Sequence, residues 1–130
     1  MNTIAQLQVN LFCENVESCL SFYGQLGLPE VFRFPTTGPI EHAEVDVAGS
    51  RIGLTSAAAA NRLADLGVTS GSSATTEVVL WSGNTDGLFD CAVSAGATVI
   101  TGPMNSPDGR LRYAWVRDPD GHQVKIVQSR

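Results

Sequence analysis

The chain has 130 residues, of which 43% are hydrophobic and 16% charged. This is the length and make-up of one folded domain, or of two very small ones fused, and not of a disordered chain. Eight basic against 13 acidic residues leave a net charge of −5, which disfavours binding to a nucleic-acid backbone, because such binding draws on clustered Lys and Arg. The only lysine is Lys125. No apolar run approaches the roughly 18 residues of a membrane span. The opening MNTIAQLQVN lacks the basic start and apolar stretch of a secretion signal, so the cytoplasm is the expected setting, with neither a nucleic-acid nor a membrane partner.

Shifting the chain by 69 positions lays Val9 on Val78, Leu11 on Leu80, Phe12 on Trp81, Asn15 on Asn84 and Gly27 on Gly96. The pattern of an internal duplication is clearer than its identity. In the first half Leu7, Val9 and Leu11 alternate with Gln8, Asn10 and Phe12, which is strand periodicity. Asn15 is an N-cap candidate, and Val16, Cys19, Leu20, Tyr23 and Leu26 follow at helical spacing up to the terminator Gly27. Strands are then expected over Glu30–Phe34, Glu41–Val47 and Arg51–Thr55. Ser56 can cap a short Ala-rich helix running to Leu66 and ended by Gly67, and Val68–Ala74 reads as a polar linker.

The second half repeats the order. Thr76, Val78 and Leu80 alternate with Glu77, Val79 and Trp81; Asn84 caps a helix carrying Leu88, Phe89, Ala92 and Ala95; Gly96 ends it. Strands follow at Thr98–Thr101, Leu111–Arg117 and His122–Val127, the last two joined by Asp118-Pro119-Asp120-Gly121, a turn in which Pro presets φ and Gly accepts a positive one. Each half therefore reads β-α-β-β-β. The expected fold is α+β, two paired βαβββ modules at about 4–56 and 75–128 joined by a bridge over 57–74, with helices outside a cupped eight-stranded mixed sheet. The cysteines Cys13, Cys19 and Cys91 are odd in number and show no C-x-x-C spacing, so small buried side chains are expected, not a disulfide framework or thiol metal site.

Strand parity sorts the side chains into two faces. Leu7, Val9, Leu11, Ala43, Val45, Val47, Ile52, Leu54, Val78, Leu80, Ala114, Val116, Val124 and Ile126 suit the helix-covered face. The opposite face holds Gln8, Asn10, Phe12, His42, Glu44, Asp46, Arg51, Gly53 and Thr55, then Glu77, Val79, Trp81, Tyr113, Trp115, Arg117, Gln123 and Lys125. Aromatic rings interleaved with isolated charges suit a ligand pocket; the same face could instead be half covered by a partner subunit.

Paired βαβββ modules, the Ser18–Tyr23 helix with its Phe22-Tyr23 pair ending in Leu-Gly, and the closing Arg-Asp-Pro-Asp-Gly-His turn resemble the vicinal oxygen chelate superfamily, which includes glyoxalase I, extradiol dioxygenases, fosfomycin-resistance enzymes and bleomycin-resistance proteins. The resemblance runs from about Ile4 to Gln128. It implies one cavity walled by the sheet and association into a homodimer. In catalytic members a divalent metal is held from the first and last strand of each module, and the matching positions here are Gln8, Gly53, Glu77 and Lys125. Gly53 offers no side chain, and an ammonium has no lone pair to give, so no metal and no other cofactor is expected. Lys125 is expected to pair with Glu77 across the cup instead.

The expected function is a glyoxalase/bleomycin-resistance-like protein that binds a small organic molecule in the cup. Phe12, Trp81, Tyr113 and Trp115 would stack on it, with Gln8, Asn10, Glu44, Arg51, Glu77, Arg117 and Lys125 as its polar contacts. Two alternatives stay open. One is a metal-dependent lyase, isomerase or dioxygenase similar to glyoxalase I. The other is a metal-independent enzyme with His42 or Glu44 as catalytic base. His122, beside the closing turn, is expected to be exposed.

Overall fold

In the computed structural model, residues 3–71 and 75–130 are described. The linker expected at Val68–Ala74 therefore lies partly outside the described residues. Among the described residues eight strands and three helices follow in this order: β1 (Val9–Cys13), α1 (Val16–Gln25), β2 (Glu30–Phe34), β3 (His42–Val47), β4 (Ser50–Ser56), α2 (Ala57–Ala64), β5 (Val78–Trp81), α3 (Thr85–Ser94), β6 (Thr98–Asn105), β7 (Leu111–Arg117) and β8 (Gln123–Ser129). The strands form two four-stranded mixed sheets, β1-β4-β3-β2 and β5-β8-β7-β6. In each, the first strand lies parallel to the last, Val9 opposite Ile52 and Val78 opposite Val124, while the other pairs are antiparallel. None of the described helices is long and apolar enough to cross a membrane.

The duplication holds to the residue in the helices. Asn15 Oδ1 accepts from the Ser18 amide at 3.0 Å and Asn84 Oδ1 from the Gly87 amide at 2.9 Å, so the two caps satisfy equivalent orphan donors of the first turn. Gly27 and Gly96 follow the helix ends at φ +96° and +106°, a region in which a Cβ is costly. Ser56 caps α2 through the Ala59 amide. That helix stops at Ala64, short of the expected Leu66, because Asp65 already takes the left-handed C-cap conformation at φ 53°, two residues before Gly67 at φ 65°.

The helices cover one face of the sheets. Val16, Cys19, Leu20, Phe22 and Tyr23 from α1 pack with Leu11, Ala43, Val45 and Leu54, and this core is continuous with Leu80, Ala92, Val116, Val124 and Ile126 of the second module. Parity anticipates this face except at its entry. Leu7 and Val9 are 83% and 53% exposed, since β1 begins only at Val9 and is the edge of its sheet. The modules are bolted together by the β7–β8 turn. Tyr23 Oη donates to Asp118 Oδ2 at 2.7 Å, the Asn15 amide donates to Asp120 Oδ2 at 3.2 Å, and His122 Nε2 meets the Phe12 carbonyl at 2.8 Å. His122 is therefore buried, not exposed: its other nitrogen, Nδ1, lies 2.7 Å from Asp118 Oδ2. Burial pulls its pKa down, but the Asp118 carboxylate, with Cys19 and the Phe12 carbonyl, outweighs burial and raises it to about 10.

Candidate functional site

The polar face of the first sheet converges on Glu44. Strand alternation on β3 sets His42 and Glu44 on one side of the sheet, and the β3–β4 register brings Thr55 opposite His42 and Gly53 opposite Glu44. Glu44 takes three partners: His42 Nε2 at 2.9 Å, Arg51 Nη1 at 2.8 Å and Gln8 Nε2 at 3.1 Å. Its carboxyl is held down at about 2, chiefly by the His42 hydrogen bond, which together with Arg51 and Gln8 overcomes the opposing effect of burial. Such a carboxylate is a poor proton acceptor; its geometry is that of an orienting group. The second nitrogen of His42, Nδ1, lies 2.9 Å from Thr55 Oγ1, so the imidazole is held between a carboxylate and a hydroxyl. Phe32 flanks it at 6.0 Å between ring centroids.

Gly53 is where the family resemblance places a metal ligand. A Cβ built there would lie 2.0 Å from Asn10 Oδ1 and 2.9 Å from Gln8 Nε2. The corner that would carry a ligand is thus filled by two amides, which also bond to each other at 3.0 Å.

The second sheet presents a different surface. Tyr113 and Trp115 share one face of β7 with their ring centroids 4.8 Å apart. Lys125, opposite Trp115 on β8, lies with Nζ 5.3 Å from the Tyr113 centroid and 5.5 Å from that of Trp115, a cation–π arrangement. Glu77 instead accepts from Trp115 Nε1 at 3.1 Å and from Gln123 Nε2. The expected Lys125–Glu77 ion pair is therefore not formed: the indole and the Gln123 amide hold the carboxylate, while the rings hold the ammonium.

The predicted site residues form two groups. Gln8, Asn10, His42, Glu44 and Arg51 form one network; Glu77, Tyr113, Trp115 and Lys125 cluster in the other module. Asn10, Phe12 and Glu77 also line a cavity of about 350 Å³ between β1, the bridge residues Gly67–Gly71 and the start of β8. Trp81 lies outside it at the end of β5 and is 65% exposed. Arg117 stands at the end of β7 opposite Gln123. Thr55 and Gln123 carry roles that sequence reading did not assign. Their parity places them on the polar face, but only register shows that they meet His42 and Glu77.

As a metal site the family positions do not fit. One corner is occupied by Asn10, one holds an ammonium, and the Gln8 amide nitrogen is bonded to Glu44 and Asn10. That leaves one carboxylate and one amide oxygen, fewer donors than Zn²⁺ or Mg²⁺ requires.

A model of the Glyoxalase/Bleomycin resistance protein/Dioxygenase superfamily matches residues 4–126. The chain belongs to this superfamily. No curated protein matches it significantly. Among solved structures it is similar to the hypothetical protein SA1046 from S. aureus, with TM-score 0.81 and 18% identity over 98% of this chain and 95% of that one. It is also similar to TioX from Micromonospora sp. ML1, with TM-score 0.74 and 22% identity over 98% and 100%. A third similar structure is a glyoxalase/bleomycin resistance protein/dioxygenase family enzyme from Burkholderia phytofirmans PsJN, with TM-score 0.76 and 25% identity over 95% and 97%. These superfamily likenesses extend over the whole fold, and the donor set just described sets this member's polar face apart from the metal-binding pattern.

Proposed function

We propose that this superfamily member binds a small organic molecule on the polar, aromatic face of its sheets, without a metal. The observation that carries this reading is Lys125 over Tyr113 and Trp115. A position that would grip a cation in catalytic relatives instead offers a positive charge beside two stacking surfaces, which suits a flat ligand with a polar or anionic substituent. Glu44 is committed to its own network, so a cationic ligand would find little free charge there. The exposed edge strands β1 and β5 are equivalent in the duplication and show Val9, Val79 and Trp81 to solvent. A second copy of this chain, bringing the same two edges, is the occupant we propose for them.

The test is binding of flat aromatic carboxylates followed by tryptophan fluorescence, on protein purified without chelator or affinity-tag metal and assayed for metal content. Saturable quenching that survives exhaustive chelation and falls at least tenfold in Lys125→Met supports the reading. A stoichiometric divalent ion on the polar face, lost together with activity on chelation, would replace it with the metal-dependent lyase, isomerase or dioxygenase.

One observation favours a second reading. His42 is oriented by Glu44 through Nε2 and meets Thr55 Oγ1 through Nδ1, an arrangement in which it can act as a base through that hydroxyl. Turnover that persists without metal and disappears in His42→Ala would establish a metal-independent enzyme, with Glu44 orienting the base.

A further inference from the structure

The opposite, helix-covered side of β1 carries a separate cluster. Cys13 ends β1 with the parity of Leu11, and Cys19 lies in α1; both are fully buried. The β7–β8 turn brings Asp120 to them. Cys19 Sγ is 3.2 Å from Asp120 Oδ2, and the two sulfurs and the carboxylate oxygen all lie within 4.8 Å of one another. A tetrahedral zinc ion holds thiolates at about 2.3 Å and carboxylates at about 2.0–2.2 Å, which sets neighbouring ligand atoms roughly 3.5–3.8 Å apart. The cluster needs only small side-chain adjustments to reach that spacing.

We propose that Cys13, Cys19 and Asp120 form a site for a thiophilic divalent cation of the zinc class. The ligand types are the borderline-soft set such an ion selects. Without the ion, the Cys13 thiol points to the Leu11 carbonyl at 3.5 Å and the Cys19 thiol donates to Asp120. On binding, both S–H protons leave to solvent, two metal–sulfur bonds and one metal–oxygen bond form, and no electron changes hands. Water supplies the fourth ligand from the side of Asp120, which is only partly buried.

Two features argue for a prepared site. The turn that carries Asp120 is held rigid: Asp118 Oδ1 accepts the backbone amides of both Asp120 and His122 at 3.0 Å. His122 does not compete as a ligand, because Asp118 and the Phe12 carbonyl occupy its two nitrogens, and its charge is paired with the Asp118 carboxylate. The ion would join α1 and β1 of one module to a turn of the other.

The experiment uses reduced, chelator-stripped full-length protein titrated with Co²⁺, a spectroscopic probe for tetrahedral thiolate sites. The expected result is one Co²⁺ per chain, with a thiolate-to-metal charge-transfer band that Zn²⁺ abolishes by displacement. The band should be unchanged in Cys91→Ser, whose thiol lies away from the cluster and donates to the Gln25 carbonyl. It should be lost in the Cys13→Ser/Cys19→Ser double variant, and Asp120→Asn should weaken binding at least tenfold. Folded wild-type protein showing no charge-transfer band with excess Co²⁺ overturns the proposal without recourse to any variant. A band that persists in the double variant, or disappears in Cys91→Ser, overturns it equally.

Discussion

The side chain of Asn10 occupies the space in which residue 53 would carry its own: a Cβ on Gly53 would lie 2.0 Å from Asn10 Oδ1. The contact spans the parallel β1–β4 pair, in which these two residues are direct partners. A single strand register therefore explains why position 53 offers the polar face no ligand side chain, because the glycine and the asparagine that fills its place are neighbours across the ladder.

Rebuilding that corner calls for more than one change. Lys125→Glu alone is expected to gain no affinity for Mn²⁺, an ion that prefers oxygen ligands. Adding Gly53→Glu together with Asn10→Gly should restore binding at least tenfold tighter than in wild type, read by calorimetry. If the single Lys125→Glu variant binds Mn²⁺ stoichiometrically, the obstruction at Gly53 is not what keeps metal away.

Gly53→Ala by itself should be close to neutral, within about 1 kcal/mol. The colliding atom is the far end of an exposed side chain that can swing aside, and a strand alanine offsets part of the loss. Gly71→Ala should behave differently. Its Cβ would meet His122 Cδ2 at 2.0 Å, on a ring that is buried and pinned at both nitrogens. The ring cannot yield, so the bridge must. Urea melts of the two variants should separate by more than 1 kcal/mol.

The pH dependence of stability should carry the mark of Glu44. Its folded-state pKa, about 2, lies below the ordinary 4.5. The proton therefore binds the unfolded chain first, and the stabilisation is whole above pH 4.5 and lost as pH falls through about 2. The expected gap between wild type and Glu44→Gln is on the order of 2 kcal/mol at pH 6 and shrinks steadily below pH 4.5. A gap that stays constant down to pH 3 would show that the His42 and Arg51 contacts do not hold this carboxylate in solution.

Tyr23→Phe should cost about 1.5–3 kcal/mol, the range for a buried hydrogen bond to a charged group. The lost bond is the 2.7 Å contact to Asp118, and the phenyl ring keeps its packing against Phe22. Thermal melts at neutral pH would measure it.

Much of this architecture was legible in the residues. The caps Asn15 and Asn84 and the terminators Gly27 and Gly96 mark the helix ends because they obey local backbone chemistry, which a sequence expresses directly. The polar face was legible for the same reason, since alternation fixes which side a strand residue takes. What could not be read was pairing at a distance. Lys125 and Glu77 share a face, yet each found a nearer partner in the rings and amides of β7 and β8, a choice decided by register and reach. Cys13 and Cys19 show no motif spacing, because a strand end and a helix turn bring them together without one. His122 was misjudged because a turn-flanking histidine is ordinarily solvated; only the docking of that turn on α1 and β1 buries it.

The docking of the Asp118–His122 turn has a consequence for how the duplication can be taken apart. Each repeat looks like a free-standing unit on paper, but the first leaves the Tyr23 hydroxyl and the Phe12 carbonyl without the partners that only the second supplies. A fragment ending at the bridge would also bare the apolar flank of α1 to water. Neither repeat is complete by itself, and the chain should melt in one cooperative step, with neither repeat surviving the loss of the other.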